Sequence, residues 1–313
     1  RPSGDEDDRL QLIFTCCHPV LARDAQVALT LRAVAGLTTG EIARAFMVPE
    51  ETLAKRIVRA KRKIVDSTVP YRVPAPQELV SRLNEVLTVI YLIFNEGYLT
   101  TSGRDPIRRD LASDAEWLAT MLMHLLPREP EAMGLVALIR LHMARWRARL
   151  DSEGRLVLLE SQERSLWDRR SIEDAVRLLE RATAMGRPGP YQIEASIAAV
   201  HCEAPTWEAT DWPQVLALYT LLAASDSSAT VRLNRAIALG HVSGADAALR
   251  EVDGLARPLH GYHLFHATRA SLLRQLGRRQ EASQAEMAAI DLTDNQAERT
   301  LMADRLVAHS PQG

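Results

Sequence analysis

Apolar residues along this chain recur at helical spacing in almost every segment. Val27, Leu31 and Val34 are four and three residues apart, and similar spacings continue towards the C-terminal end. This period places apolar side chains on one face of a helix. Residues 155–159 could form a short strand, but no second strand follows to pair with them. The pattern therefore predicts an all-α protein.

Two polar or proline-bearing segments divide this pattern. Residues 1–8 (RPSGDEDD) are polar and indicate the remnant of a linker, so we expect a further part upstream of Arg1 in the natural protein. Residues 67–79 contain three prolines and no apolar period, which is typical of an extended linker. The sequence thus predicts a small front domain over residues 1–66 and a helical C-terminal domain over residues 80–313.

The C-terminal domain is predicted to consist of helices joined by short polar turns. Its first helix should end at Asn95-Glu96-Gly97, with Gly97 in the left-handed conformation that commonly terminates helices. Later helices are predicted at residues 172–185, 190–203, 212–224, 229–240, 244–253, 259–276 and 279–292. Serial packing of such helices indicates an α-solenoid-like domain.

Residues 37–65 carry a more specific pattern, a short helix followed by a break and a second helix. Thr38 or Thr39 can cap the first helix, since a hydroxyl oxygen accepts hydrogen bonds from otherwise unpaired amides. Val48-Pro49 then breaks the helix, because proline lacks an amide hydrogen. A second helix restarts with two glutamates, where the helix dipole favours negative charge. This arrangement is typical of a helix-turn-helix.

The second helix of this motif is apolar on one side only. Leu53, Ile57, Ala60 and Ile64 form a stripe at spacings of four, three and four residues. Residues 55–63 hold six cations and no acid, a charge density that suits DNA phosphates. The predicted DNA-binding residues are Thr52, Lys55, Arg56, Arg59, Lys61, Arg62 and Lys63. The first four lie where a recognition helix reaches base edges, and the last three would lie nearer the phosphates. The structural alternative is a solvated basic helix.

The run TTGEIARAFMVPEETLAKRIVRAKRKI resembles region 4 of the extracytoplasmic-function sigma factors of bacterial RNA polymerase. That region has an EIA helix, a VP turn and a recognition helix of the form T-(V/L)-(K/A)-x-R-(L/I)-x-R-A-(R/K). Met47 departs from this form, because the family usually has glycine in the turn. The resemblance implies a domain that binds the minus-35 element of promoter DNA and docks on the RNA polymerase core.

Residues 165–290 resemble the C-terminal extension found in one group of these sigma factors. Within them, residues 263–296 resemble a tetratricopeptide repeat, with small residues such as Ala270 and Ala282 where helices approach closely and Glu286 where an aromatic usually stands. The resemblance implies a fused helical-repeat domain that regulates the sigma factor. We expect intramolecular docking of this domain on the helix-turn-helix domain, because the linker keeps the two at high effective concentration.

Charge and cysteine content fit these expectations. Residues 1–66 hold 11 basic and 9 acidic residues, whereas residues 67–313 hold 27 and 31, so the front domain is the better partner for nucleic acid. Three cysteines cannot build a disulfide framework and suit a reducing cytoplasm. The longest apolar run, residues 86–94, is too short to span a membrane, so no membrane partner is expected.

No motif for catalysis, cofactor binding or metal coordination stands out. Cys16-Cys17-His18 lacks the second pair of ligands that a zinc site would need. Glu96 has no acid, histidine or nucleophile in helical register with it. We therefore predict that the chain is not an enzyme and requires neither a cofactor nor a metal ion.

Two functions remain open at this point. The first is a transcription-initiation factor, and the second is a stand-alone regulator whose helix-turn-helix binds an operator while the solenoid senses a ligand or protein. An aromatic-bearing helical segment upstream of Arg1, able to hold the minus-10 strand, would favour the first.

Overall fold

The computed structural model describes residues 4–46, 48–98 and 108–308. Within these ranges the chain contains 16 α-helices, and its only strand-like feature is an isolated bridge between Leu150 and Leu156. The predicted all-α class is confirmed, with a helix-turn-helix followed by a helical domain. The chain divides after Val136 into two compact units, which are described separately.

The first unit contains the helix-turn-helix and the helices that pack around it. Its helices are α1 (Gly4–Cys16), α2 (Arg23–Ala33), α3 (Thr39–Ala45), α4 (Glu50–Asp66), α5 (Pro76–Tyr98), α6 (Arg109–Leu125) and the first part of α7 (Pro130–Met143). Helix α2 is central, since it packs against α1, α3, α4 and α5, while α5 also packs along α6. The fully buried side chains of this core include Phe14, Leu31, Ile42, Leu53 and Ile90.

Helix α5 shares its core with the front helices. The Arg82 guanidinium donates a hydrogen bond to the carbonyl oxygen of Phe14 at 2.6 Å, and Arg23 of α2 forms an ion pair with Glu85 at 2.7 Å. Burial of the apolar face of α5 therefore stabilises α1 and α2 as well. The compact unit extends well past residues 67–79, while the division into functional domains at that segment stays a prediction.

Two predicted linker segments are shorter than expected. Helix α1 begins at Gly4, so most of residues 1–8 is helical. Helix α5 begins at Pro76, because proline is well tolerated at the first helical position. The Glu78 carboxylate accepts a hydrogen bond from the amide of Ala75 at 3.3 Å, which caps this helix.

Gly97 has a different role from the one predicted. Helix α5 continues to Tyr98, and the φ of Gly97 lies outside the left-handed region. A Cβ atom at this position would lie 2.4 Å from the amide nitrogen of Ala112 and 2.9 Å from the carbonyl oxygen of Arg108. Glycine is therefore required by the close approach of α5 to the start of α6, not by a helix stop.

The second unit is a series of helices that pack mainly on their neighbours in the chain. After the end of α7 come three 3₁₀ turns (Trp146–Ala148, Leu159–Ser161 and Arg164–Leu166), α8 (Arg169–Thr183), α9 (Pro190–Glu203), α10 (Trp212–Ser225), α11 (Ala229–Ser243), α12 (Ala245–Asp253), α13 (Ala256–Leu259), α14 (His263–Gln275), α15 (Arg279–Leu292) and α16 (Gln296–Ala308). Sequential contacts of this kind define a solenoid-like arrangement. The predicted helix 259–276 is interrupted at residues 260–262, where Gly261 lies. None of the helices in the described ranges is both long and apolar enough to cross a membrane.

Helices α14 and α15 pack along each other, while the tetratricopeptide-like repeat over residues 263–296 stays a prediction. Ala270 of α14 and Ala282 of α15 belong to the same buried core cluster, and Ala289 is buried as well. Glu286 is only 2% exposed, and its carboxylate pairs with the guanidinium of Arg274. A buried carboxylate without a partner would be strongly destabilising. Because Arg274 pairs with Glu286, an acid can occupy this buried position.

We predict that Gly97→Ala destabilises the first unit. The added methyl group meets backbone atoms that cannot move aside alone, so the free energy of unfolding should fall by about 1–3 kcal/mol. Gly261→Ala is the matched control, since a Cβ there meets nothing within 4 Å. Urea denaturation of both variants measures these losses of stability. Equal losses for Gly97→Ala and Gly261→Ala would contradict the close approach of α5 to α6 at Gly97.

Candidate nucleic-acid interface

The first helix of the motif begins with a capping box. The Thr38 hydroxyl accepts a hydrogen bond from the amide of Glu41 at 3.2 Å, and the Glu41 carboxylate accepts one from the amide of Thr38 at 2.7 Å. This reciprocal pair satisfies two donors that a helix start would otherwise leave unpaired. Of the two predicted caps, Thr38 is therefore the one used.

The turn between α3 and α4 is short and held by the backbone. The amide of Val48 donates to the carbonyl oxygen of Ala43 at 3.0 Å, and Pro49 has a ψ of 136°, outside the helical region. Helix α4 starts at the next residue, Glu50, with Pro49 at its N-cap position. Met47, the departure from the family pattern, lies outside the described residues.

The apolar stripe of α4 fixes which side of the helix faces solvent. Leu53, Ile57 and Ala60 are buried, as predicted, and α4 packs against α2 and α3. Ile64 was expected to be buried with them but is only half-buried. The reason is that α4 continues to Asp66, and the residues around Ile64 from Lys61 onward are exposed.

Most of the predicted DNA-binding side chains lie on the solvent side of α4. The exposed members are Thr52, Lys55, Arg59, Lys61, Arg62 and Lys63. The structure thus brings these cations onto one continuous helix surface beside a buried stripe. Their contact with DNA stays a prediction.

Arg56 differs from the other cations of α4. It is half-buried, and its guanidinium lies 3.6 Å from the carboxylate of Asp24 on α2. It also lines a cavity of about 270 Å³ between α2, α4 and α5, to which Leu92 and Glu96 contribute. Arg56 is therefore placed to hold α4 against α2. The sequence could not indicate this cavity, because its walls come from segments far apart in the chain.

Lys55 and Arg59 make local contacts within α4. The Lys55 ammonium lies 2.6 Å from the carboxylate of Glu51, one helical turn earlier, and Arg59 Nε donates to the carbonyl oxygen of Lys55 at 3.3 Å. An exposed pair at this spacing is worth about 0.3–0.5 kcal/mol. Both side chains can therefore exchange these contacts for a base or a phosphate at little cost.

The exposed surface of α4 also carries two valines that were not among the predicted site residues. Val58 is 65% exposed and Val65 is 73% exposed. The sequence already indicates that both valines are exposed, because neither falls at the spacing of the apolar stripe. An exposed valine between cations offers the apolar surface that a thymine methyl group can contact.

The adjacent cysteines of the first unit are buried packing residues. Burial raises the pKa of Cys16, and it raises that of Cys17 to about 12, so both thiols stay protonated. Cys17 Sγ lies 3.4 Å from the Thr30 hydroxyl. Within the described ranges no group of three or more histidine, cysteine or acidic residues could hold a metal ion.

Comparison with known proteins agrees with this geometry. Residues 11–64 match the family described as Sigma-70, region 4, and residues 82–183 match a family of unknown function, DUF6596. The chain is also 44% identical over 292 residues to an uncharacterized protein, R00370, of Rhizobium meliloti (strain 1021). That match covers 93% of this chain and 69% of the relative.

Replacing cations in the two halves of α4 should affect DNA binding differently. Lys55→Ala/Arg59→Ala should reduce discrimination between a selected DNA site and a scrambled one, because base contacts are worth about 1–3 kcal/mol each. Lys61→Ala/Arg62→Ala/Lys63→Ala should weaken binding to both DNAs alike and lower the salt slope by about 0.9 per lost phosphate contact. Fluorescence anisotropy over a salt series measures both effects. Identical profiles for the two variants would refute the assignment of base contacts to one half of α4 and phosphate contacts to the other.

Adjacent residues of α4 should differ sharply in their contribution to stability. Ile57→Ala leaves a cavity in the core and should cost about 2–5 kcal/mol, so DNA binding is lost through unfolding. Val58→Ala removes an exposed side chain and should change stability by less than about 0.5 kcal/mol. Chemical denaturation tests this pair, and a cost at Val58 equal to that at Ile57 would show that the helix is rotated.

Proposed function

The chain belongs to one family with the Rhizobium meliloti protein and carries a sigma-70 region 4, and on this premise we propose that it is an initiation factor of the extracytoplasmic-function type. Region 4 implies a DNA-binding role in transcription initiation together with an interaction with RNA polymerase. The observation that carries the finer assignment is the exposure of the α4 cations opposite a buried stripe.

In this proposal α4 enters the major groove of the promoter minus-35 element. Thr52, Lys55 and Arg59 contact base edges, and Lys61, Arg62 and Lys63 contact phosphates. Arg56 keeps its predicted place in the interface but acts mainly by holding α4 on α2, since its guanidinium already faces Asp24.

We further propose that the second unit is a tetratricopeptide-like regulatory domain that binds protein and performs no chemistry. Support comes from the sequential helix packing and from the small residues between α14 and α15. Intramolecular docking on the helix-turn-helix domain remains part of the proposal, with a positive effect on transcription. The factor would work in the cytoplasm with the polymerase core and would need no cofactor.

The stand-alone regulator is the competing outcome. Both functions require α4 to bind DNA, so DNA binding alone does not separate them. Initiation by the core enzyme does, because only an initiation factor confers promoter-specific transcription on a polymerase that lacks any other sigma factor.

Run-off transcription with core polymerase and the complete natural protein tests the proposal. Promoter-dependent transcripts should appear and should fall at least about tenfold with Lys55→Ala/Arg59→Ala, which loses two base contacts. Arg9→Ala, which removes an exposed cation from α1 instead of α4, serves as the folded control. DNA binding without any transcript would instead identify a stand-alone regulator.

The sign of regulation is tested by ending the chain after Glu129, in the turn before α7. This position keeps α5 and α6, whose removal would expose the core that they share with α1 and α2. Transcription should fall while promoter binding persists, which also reports that the first unit is folded. A clear rise in transcription would show that the second unit inhibits.

A further inference from the structure

Glu51 is an acid on the side of α4 that carries the exposed cations. It lies in the first turn of α4, and its side chain is 80% exposed. With about 100° per residue, Glu51 points about 40° away from the direction opposite to Leu53 and Ile57, on the same side of α4 as Lys55, Arg59 and Arg62. The carboxylate therefore lies at the N-terminal edge of the surface that the cations form, at the end of the helix where bases are contacted.

The fold gives little reason for this acid. Its ion pair with Lys55 joins two exposed side chains, and such pairs add little to stability. The favourable charge at the helix start is also supplied by Glu50, in the same turn. Glu50 faces α3, since a Cβ added to Gly40 would lie 3.3 Å from its carboxylate oxygen. The two neighbouring acids thus face different surroundings.

A carboxylate on a DNA-facing surface is repelled by phosphates unless a base offers it a hydrogen-bond donor. In the major groove cytosine presents the N4 amino group, whereas guanine and thymine present acceptor oxygens at the corresponding edge. Adenine presents an amino group beside the N7 acceptor, which repels the second carboxylate oxygen. An acid in this position consequently selects cytosine.

We propose that Glu51 recognises the N4 amino group of one cytosine in the bound DNA. This inference rests on the proposed function, because it assigns a specificity-determining role within the same helix. It makes α4 a mixed surface, in which cations supply affinity and one acid excludes guanine and thymine at a single position.

The test compares the wild-type chain with Glu51→Ala, Glu51→Gln and the matched control Glu50→Gln. Bound sites are selected from a duplex pool with random sequence, and affinities are then measured with each of the four bases at every selected position. Wild type should prefer cytosine by about tenfold at one position, as a base contact of this kind provides. Glu50→Gln should keep this preference, since it alters charge in the same turn but faces α3.

The two substitutions at Glu51 should give different results. Glu51→Ala should reduce the preference at that position to less than about twofold, because no side chain then reaches the base. Glu51→Gln should change the preferred base to adenine, since an amide pairs with adenine N6 and N7. Unfolding cannot change the preferred base from cytosine to adenine. The result for Glu51→Gln is therefore independent of the stability of the variant.

Two outcomes would overturn the inference in distinguishable ways. If Glu51→Ala keeps the wild-type preference at every position while Lys55→Ala/Arg59→Ala loses discrimination, this inference is wrong and the proposed function stands. If wild type shows no sequence preference at all, the inference and the proposed function fail together.

Discussion

The burial of Leu53, Ile57 and Ala60 against α2 and α3 is the contact on which the DNA-binding surface depends. It sets the rotation of α4 about its own axis, and a shift by one residue would turn the helix by about 100°. Such a shift would move cations into the core, where an unpaired charge is very costly. Apolar attraction and charge desolvation therefore enforce the same orientation, and the basic surface needs no other support to face solvent.

The front helices do not form a closed structure by themselves. Helix α5 covers α1 and α2, and the Arg82 and Arg23 contacts link it to both. The match to the family of unknown function begins at residue 82, inside α5. The segment of unknown function thus starts within the core that supports the helix-turn-helix, and it is not simply appended after it. Substitutions in α5 can reach the DNA-binding helix through packing alone.

Features that depend on neighbouring residues could be predicted from the sequence. The helix-turn-helix, the cap at Thr38 and the burial of Leu53 and Ile57 follow from spacing and residue type within a few turns. Features that depend on distant segments could not. The sequence predicts a helix stop at Gly97, because Asn-Glu-Gly fits that role, whereas the close approach of Gly97 to Ala112 is visible only in the fold. The sequence also predicts that Arg56 is exposed like the other cations, because its partner, Asp24, lies on another helix.

The position of α5 also has a consequence for the order of events during synthesis. The ribosome releases α1 to α4 before α5, and domains generally fold as units during synthesis. The faces of α1 and α2 that α5 covers stay open to solvent until residues 76–98 have left the exit tunnel. For that interval the nascent chain presents its cationic helix beside an incomplete apolar core. A growing chain of this design therefore exposes apolar surface of α1 and α2 until α5 has been synthesised and has packed on them.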